Sequence, residues 1–179
     1  KLDKVEGTPL TVTEVAANNV IKVYYVKDNF NYTIEYYFDN VIDATLTETA
    51  TAEFGSVIST YTDKVKTGYK LDNVEGKPLT ITEVAANNVI KVYYVKVSGL
   101  SYTVNYLEKG TNAVLNPAKT VDGKTFGDVI TSANEVITIT GYTYDSVDKD
   151  SITIGVDNAA NVINVYYVKG NFNYTVEYY

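Results

Sequence analysis

The chain has 179 residues, a formal net charge of −7 and no His, Cys, Met, Trp or Arg, while tyrosine alone supplies 18 residues. Without cysteine it forms no disulfide and no thiolate zinc site, and with lysine as its only base it has no concentrated positive field for nucleic acid or an anionic membrane. No apolar run approaches the roughly 20 residues of a membrane span, no signal peptide opens the chain, and any export signal or wall anchor is expected outside this segment.

Tyr, Thr, Val, Asn and Ile dominate the rest, and branched and aromatic side chains suit a pleated, half-buried surface. The dominant signal is self-similarity. Residues 1–27, KLDKVEGTPLTVTEVAANNVIKVYYVK, and residues 70–96, KLDNVEGKPLTITEVAANNVIKVYYVK, differ only at Lys4 against Asn73, Thr8 against Lys77 and Val12 against Ile81. A Tyr-Thr-Ile/Val-x-Tyr marker recurs at Tyr32, Tyr102 and Tyr174, about 70 residues apart, and Val-Tyr-Tyr-Val-Lys closes at Lys27, Lys96 and Lys169. The expected units are therefore the C-terminal part of a repeat at 1–28, full repeats at 29–96 and 97–169, and the opening strand of a further repeat at 170–179.

In chain order, each full unit starts with an alternating strand: Tyr32, Ile34 and Tyr36 share one face, and Thr33, Glu35 and Tyr37 the other. Next, Phe54, Val57, Ile58, Tyr61 and Val65 recur at helical spacing, as do Phe126, Val129, Ile130, Ala133 and Ile137. This predicts amphipathic helices, stopped by Gly68-Tyr69 and Gly141-Tyr142. Strands are expected at 142–147, 151–154 and 162–168, parted by turn residues. Glu35 and Lys91 hold outward positions in the first and last strands of one full unit, where the next has Asn105 and Asn164. Both charges vanish together, as expected of cross-strand neighbours. The fold class predicted is α+β and β-rich: tandem β-grasp-like (ubiquitin-like) repeats in a linear array, each with its terminal strands side by side and a helix over one sheet face.

The blocks Tyr102-Thr-Val-Asn-Tyr-Leu, Gly123-Lys-Thr-Phe-Gly127, Ile139-Thr-Gly-Tyr142 and Val162-Ile-Asn-Val-Tyr-Tyr-Val-Lys169 resemble, in order and spacing, a MucBP (mucin-binding protein) repeat of Gram-positive cell-surface adhesins. The first full unit departs from that pattern with Glu53-Phe54-Gly55, where such repeats have a glycine before the helix. The resemblance implies export to the extracellular side, cell-wall attachment through a distant signal, and β-grasp-like units.

Catalysis without His or Cys would fall to Asp, Glu, Lys or Tyr. Asp145, Asp148 and Asp150 are the candidate carboxylates; their counterparts Asp72, Glu75 and Lys77 keep neither the spacing nor the charge, so no enzyme and no cofactor are expected. The same three aspartates are the candidate calcium ligands, since oxygen is what Ca²⁺ takes, although no glycine-bearing ligand loop accompanies them. Tyr25, Tyr94 and Tyr167 share a face with Ile21, Ile90 and Ile163 and are expected in the core. Tyr24, Tyr93 and Tyr166 point the other way and are the candidate ligand-binding residues, able to stack on a sugar, cover a sheet or meet a neighbouring repeat. A Lys–Asn intramolecular crosslink is a further possibility, with no particular pair singled out.

The function expected is a structural stalk or spacer in a surface adhesin, its partners being neighbouring repeats. The alternative is a module that binds mucin glycans or a host surface protein through the exposed tyrosines. Because 1–28 supplies closing strands and 170–179 an opening strand, head-to-tail self-association is expected as well.

Overall fold

A computed structural model describes residues 1–179. Alternating branched and aromatic residues give the chain its strands. The helical turns are short 3-10 segments at Ala16–Asn18, Ala85–Asn87, Ser132–Glu135 and Asn158–Ala160. Two compact units result, one of Lys1–Lys64 with Leu71–Tyr94 and the other of Val65–Lys70 with Val95–Tyr179.

The chain opens with β1 (Leu2–Glu6) and β2 (Lys22–Tyr25), which form an antiparallel two-stranded sheet of their own. Then follow β3 (Asn29–Phe38), β4 (Val41–Ile42), β5 (Glu48–Glu53), β6 (Val57–Ile58), β7 (Tyr69–Glu75), β8 (Leu79–Thr80) and β9 (Val89–Lys96). Their main sheet has the order β4-β3-β9-β7 with β5 also on β3, and β6 pairs with β8. The second half repeats the scheme with β10 (Ser98–Glu108), β11 (Val114–Thr125), β12 (Val129–Thr131), β13 (Tyr142–Val147), β14 (Ser151–Thr153) and β15 (Val162–Lys169). Here the order is β11-β10-β15-β13, with β12 on β14.

In both sheets the opening and closing strands are parallel neighbours. Glu35 stands opposite Lys91 in the β3/β9 ladder, and Asn105 opposite Asn164 in β10/β15, where the Asn105 side-chain amide donates to Asn164 Oδ1 at 2.9 Å. The positions that change together in the sequence are thus cross-strand partners. On the inner face Ile34, Tyr36 and Phe38 meet Ile90, Val92 and Tyr94, all buried. Val104 and Tyr106 meet Ile163, Val165 and Tyr167 in the same way, joined by Leu100, Tyr102, Ile152 and Ile154. Each such side chain contributes about 1.5–3 kcal/mol on leaving water.

The expected helices are absent, so the β-rich half of the predicted fold class stands and the α half does not. Phe54 instead meets Phe30 edge-on at 6.3 Å, Val57 and Ile58 form β6, Tyr61 lies beneath Lys77 at 4.9 Å, and Val65 is 91% exposed. The spacing of these residues is helical, but Val57-Ile58-Ser-Thr-Tyr61-Thr is a run of poor helix formers. The physical gain lies in what an extended strap offers the core tyrosines. Tyr36 donates to Thr62 O at 2.7 Å, and Tyr94 donates to Asp63 while accepting from the Lys64 N–H at 3.0 Å. In the second unit Tyr167 donates to Ile137 O at 2.9 Å and accepts from the Ile137 N–H at 3.1 Å. A helix interior would have spent those backbone groups on itself. The Gly68-Tyr69 and Gly141-Tyr142 pairs are therefore turns into β7 and β13, not helix stops. Gly68 has φ +82°, and a Cβ there would stand 2.2 Å from the Phe126 ring.

A second anchor is a buried asparagine. Asn88 takes the Thr82 N–H on Oδ1 at 2.9 Å, while its amide donates to Thr82 O at 2.8 Å and to Asn31 O of β3 at 3.0 Å. Asn161 does the same with Gly155 N, Gly155 O and Ser101 O of β10. Each asparagine thus fastens the loop before the closing strand onto the opening strand.

Candidate functional site

The outward tyrosines occupy equivalent places but are not equally free. Tyr93 stacks on Tyr37 at 4.8 Å between ring centroids and 23° between planes, and donates to Glu75 at 3.2 Å. Tyr37 donates to Glu35 at 2.7 Å. That bond, with burial behind it, pushes the Tyr37 hydroxyl up to about 12, and burial together with Glu75 raises Tyr93. Tyr166 is partly buried, opposite Leu107 in one direction and Ser146 in the other. Tyr24 donates to Glu6 at 2.9 Å and lies under Lys4 Nζ, 4.7 Å from the ring centroid. Of the inward set, Tyr94 and Tyr167 are in the core, but Tyr25 is 74% exposed because no opening strand lies beside β2.

The aspartates do not converge. Asp145 pairs with Lys109 and accepts from Ser146 at 2.6 Å, and the Lys109 bond holds its carboxyl below the usual value. Asp148 accepts from the Asn164 backbone at 2.9 Å and its amide at 3.0 Å, so it serves β15 directly. No group of three or more acidic side chains is placed to share a metal ion.

A trio built around a buried carboxylate went unnoticed in the sequence. Glu135, 7% exposed, accepts from Tyr102 at 2.7 Å and from Lys119 Nζ at 2.6 Å. Burial alone would raise this carboxyl, but the Lys119 and Tyr102 bonds outweigh it and hold it below its ordinary value. The same contact raises Lys119, and burial with Glu135 pushes Tyr102 up to about 12. These shifts make the carboxylate a poor base and the amine a poor nucleophile near neutral pH, the reverse of what acid–base or covalent catalysis requires. The trio is a brace: it ties β10, β11 and the 3-10 turn together. Nothing in the sequence pointed to it, since Glu135 falls off the apolar face of the expected helix, between Ala133 and Ile137.

The second unit also has an open aromatic cleft of about 330 Å³, at the small end of ligand-sized sites. Ile137, Thr138, Ile139, Tyr142, Tyr144 and Tyr167 line it, and Tyr144 is 44% exposed and edge-on to Tyr167 at 6.3 Å. The positions matching Ile137, Ile139 and Tyr144 in the repeat at 29–96 are Lys64, Lys66 and Leu71, so two apolar side chains of the lining give way to lysines there and the exposed ring is lost.

No family model and no curated protein matches the chain. Among solved structures it is similar to a crystal structure of Mub-RV, at 15% identity and a TM-score of 0.26, over 79% of this chain and 99% of that one. It is also similar to the type 2 repeat of the mucus binding protein MUB from Lactobacillus reuteri, at 14% identity and a TM-score of 0.22, over 78% and 99% of the two chains.

Proposed function

We propose that this chain is a stalk or spacer segment of a Gram-positive cell-surface repeat adhesin, built of tandem β-grasp-like units in a linear array in which the extended strap takes the helix's place. The observation that carries this reading is the parallel pairing of opening and closing strands in each full repeat, Thr33 to Phe38 beside Val89 to Tyr94 and Thr103 to Glu108 beside Val162 to Tyr167. Parallel neighbours place the entry of the first strand and the exit of the last at opposite ends of the ladder. Tension along the chain then loads all the ladder hydrogen bonds together in shear, instead of opening them one by one. That suits an element that must hold a distal domain away from a wall. The buried Asn88 and Asn161 brackets and the tyrosine-pinned straps reinforce the same strand pair.

A second reading, a module that binds mucin glycans, is favoured by the cleft at Tyr142 and Tyr144, whose exposed ring and flanking Thr138 and Thr143 hydroxyls offer a stacking face with hydrogen-bonding groups. A mucin-glycan array screened with the full chain separates the two. The stalk reading predicts no retention above background. Retention lost in Tyr144→Ser would support the cleft, and retention lost in Tyr93→Ser with Tyr166→Ser would support the outward sheet face.

A further inference from the structure

Cysteine and methionine are the side chains that oxidants reach first, and the chain has neither, nor any tryptophan or histidine, while it has 18 tyrosines. An electron taken from this protein therefore comes from a phenol. Two phenols are set face to face across the parallel ladder of the first full repeat: Tyr37 of β3 stands opposite Tyr93 of β9, with ring centroids 4.8 Å apart and planes 23° from parallel. Both rings are half-buried on the outward face, so solvent reaches their edges. Each hydroxyl already donates to a carboxylate, Tyr37 to Glu35 at 2.7 Å and Tyr93 to Glu75 at 3.2 Å. A phenol loses an electron more readily when a base in hydrogen-bond contact takes the proton in the same step. Other aromatic pairs lack part of this arrangement. Phe38 stacks on Tyr94 at 5.0 Å but has no hydroxyl, Tyr144 meets the buried Tyr167 edge-on at 78°, and the second full repeat places Leu107 opposite Tyr166.

We propose that Tyr37 and Tyr93 form an oxidative modification site, at which a one-electron oxidant, a haem peroxidase working on hydrogen peroxide, joins the two rings into a dityrosine crosslink. Each phenol gives one electron to the oxidant and its hydroxyl proton to the carboxylate it contacts, Glu35 or Glu75. The two phenoxyl radicals pair their electrons in a carbon–carbon bond between ring positions ortho to the oxygens. Each ring regains aromaticity by passing the hydrogen of that carbon to its own oxygen. The two electrons and two protons lost from the protein reduce one hydrogen peroxide to two waters. Rings joined in this way lie at nearly the present separation, so coupling asks for a swing of one side chain and no movement of the strands. The bond ties β3 to β9 across the ladder that the stalk reading makes the load-bearing element, as a disulfide would in a chain that had thiols. Formation of the crosslink does not itself depend on that reading.

The test oxidises the full chain in dilute solution with peroxidase and hydrogen peroxide, cleaves the monomer fraction after glutamate, and maps the products by mass spectrometry. The expected product is residues 36–48 joined to residues 84–108, two hydrogens lighter than the separate peptides together. It should be lost in Tyr37→Phe and in Tyr93→Phe, which keep the stacked rings and so the fold, and should persist in Tyr24→Phe. Pulled from its two ends, the crosslinked chain should lose the release of about 20 nm that belongs to the first full repeat, because residues 38–92 no longer extend, and should keep that of the second. Absence of the joined product, its survival in either Tyr37→Phe or Tyr93→Phe, crosslinks formed only elsewhere or only between chains, or an unchanged first release would overturn the proposal.

Discussion

Residues 18–27 and 87–96 are the same ten letters in two environments. Along β9, Ile90, Val92 and Tyr94 are 0%, 0% and 3% exposed; in the first segment, Ile21, Val23 and Tyr25 are 48%, 48% and 74% exposed. Both segments contain a strand, and β2 lies beside β1 as β9 lies beside β7. The difference is β3. A closing strand becomes core only when an opening strand lies parallel beside it, so the strand pair, and not the strand, is the unit in which this sequence folds. Local propensity fixes the extended backbone, whereas burial and the accompanying stability come from a partner about 56 residues away in the chain.

The sharpest way to break this comparison is to make one substitution at both places. Ile90→Ala should cost about 2–5 kcal/mol through lost burial and a cavity. Ile21→Ala, at a half-exposed site, should stay within about 0.5 kcal/mol. Urea unfolding followed by far-UV circular dichroism reads both, and equal losses would mean that β2 is buried after all.

A smaller effect is expected at the asparagine brackets. Asn88→Ala leaves the Thr82 N–H and carbonyl and the Asn31 carbonyl without their partner, at about 1–3 kcal/mol for buried groups. Asn19→Ala should cost less, since Thr13 is exposed and there is no link to an opening strand. Hydrogen exchange of the Thr82 and Thr13 amides would show the same ranking.

The pH dependence should follow the core tyrosines. Burial first, then the Asp63 bond, pushes Tyr94 up to about 12, and burial does the same for Tyr36. A raised value means the fold favours the neutral hydroxyl. The stabilisation is therefore complete below the unfolded value near 10 and is lost as pH climbs through about 12. The urea midpoint should fall between pH 10 and 12, and fall less in Tyr94→Phe.

What could be read from the sequence, and what could not, divides along the same line. The Tyr32-Thr-Ile-Glu-Tyr36 alternation and the paired change of Glu35/Lys91 to Asn105/Asn164 report period and register, which a strand writes directly into its residues. The strap misled because Phe54, Val57, Ile58, Tyr61 and Val65 keep helical spacing although each goes to a different place, and what keeps the strap extended is the buried hydroxyls of Tyr36 and Tyr94. Asn88 looked like any loop asparagine, and Glu135 like a residue on the polar side of a helix. Their roles exist only once β3 and β10 are in position. The outward Tyr93 was legible as to direction but not as to freedom, since the stacked Tyr37 ring comes from the partner strand.

Pulling the full chain from its two ends in a single-molecule force measurement tests the central claim that the parallel opening–closing ladder is the mechanical element of each repeat. The account predicts two abrupt unfolding events, each releasing about 20 nm of chain for the residues enclosed by one ladder, with the event for the first full repeat moved to lower force by Ile90→Ala and not by Ile21→Ala. Gradual extension at low force without discrete events, or events unchanged by Ile90→Ala, would contradict it.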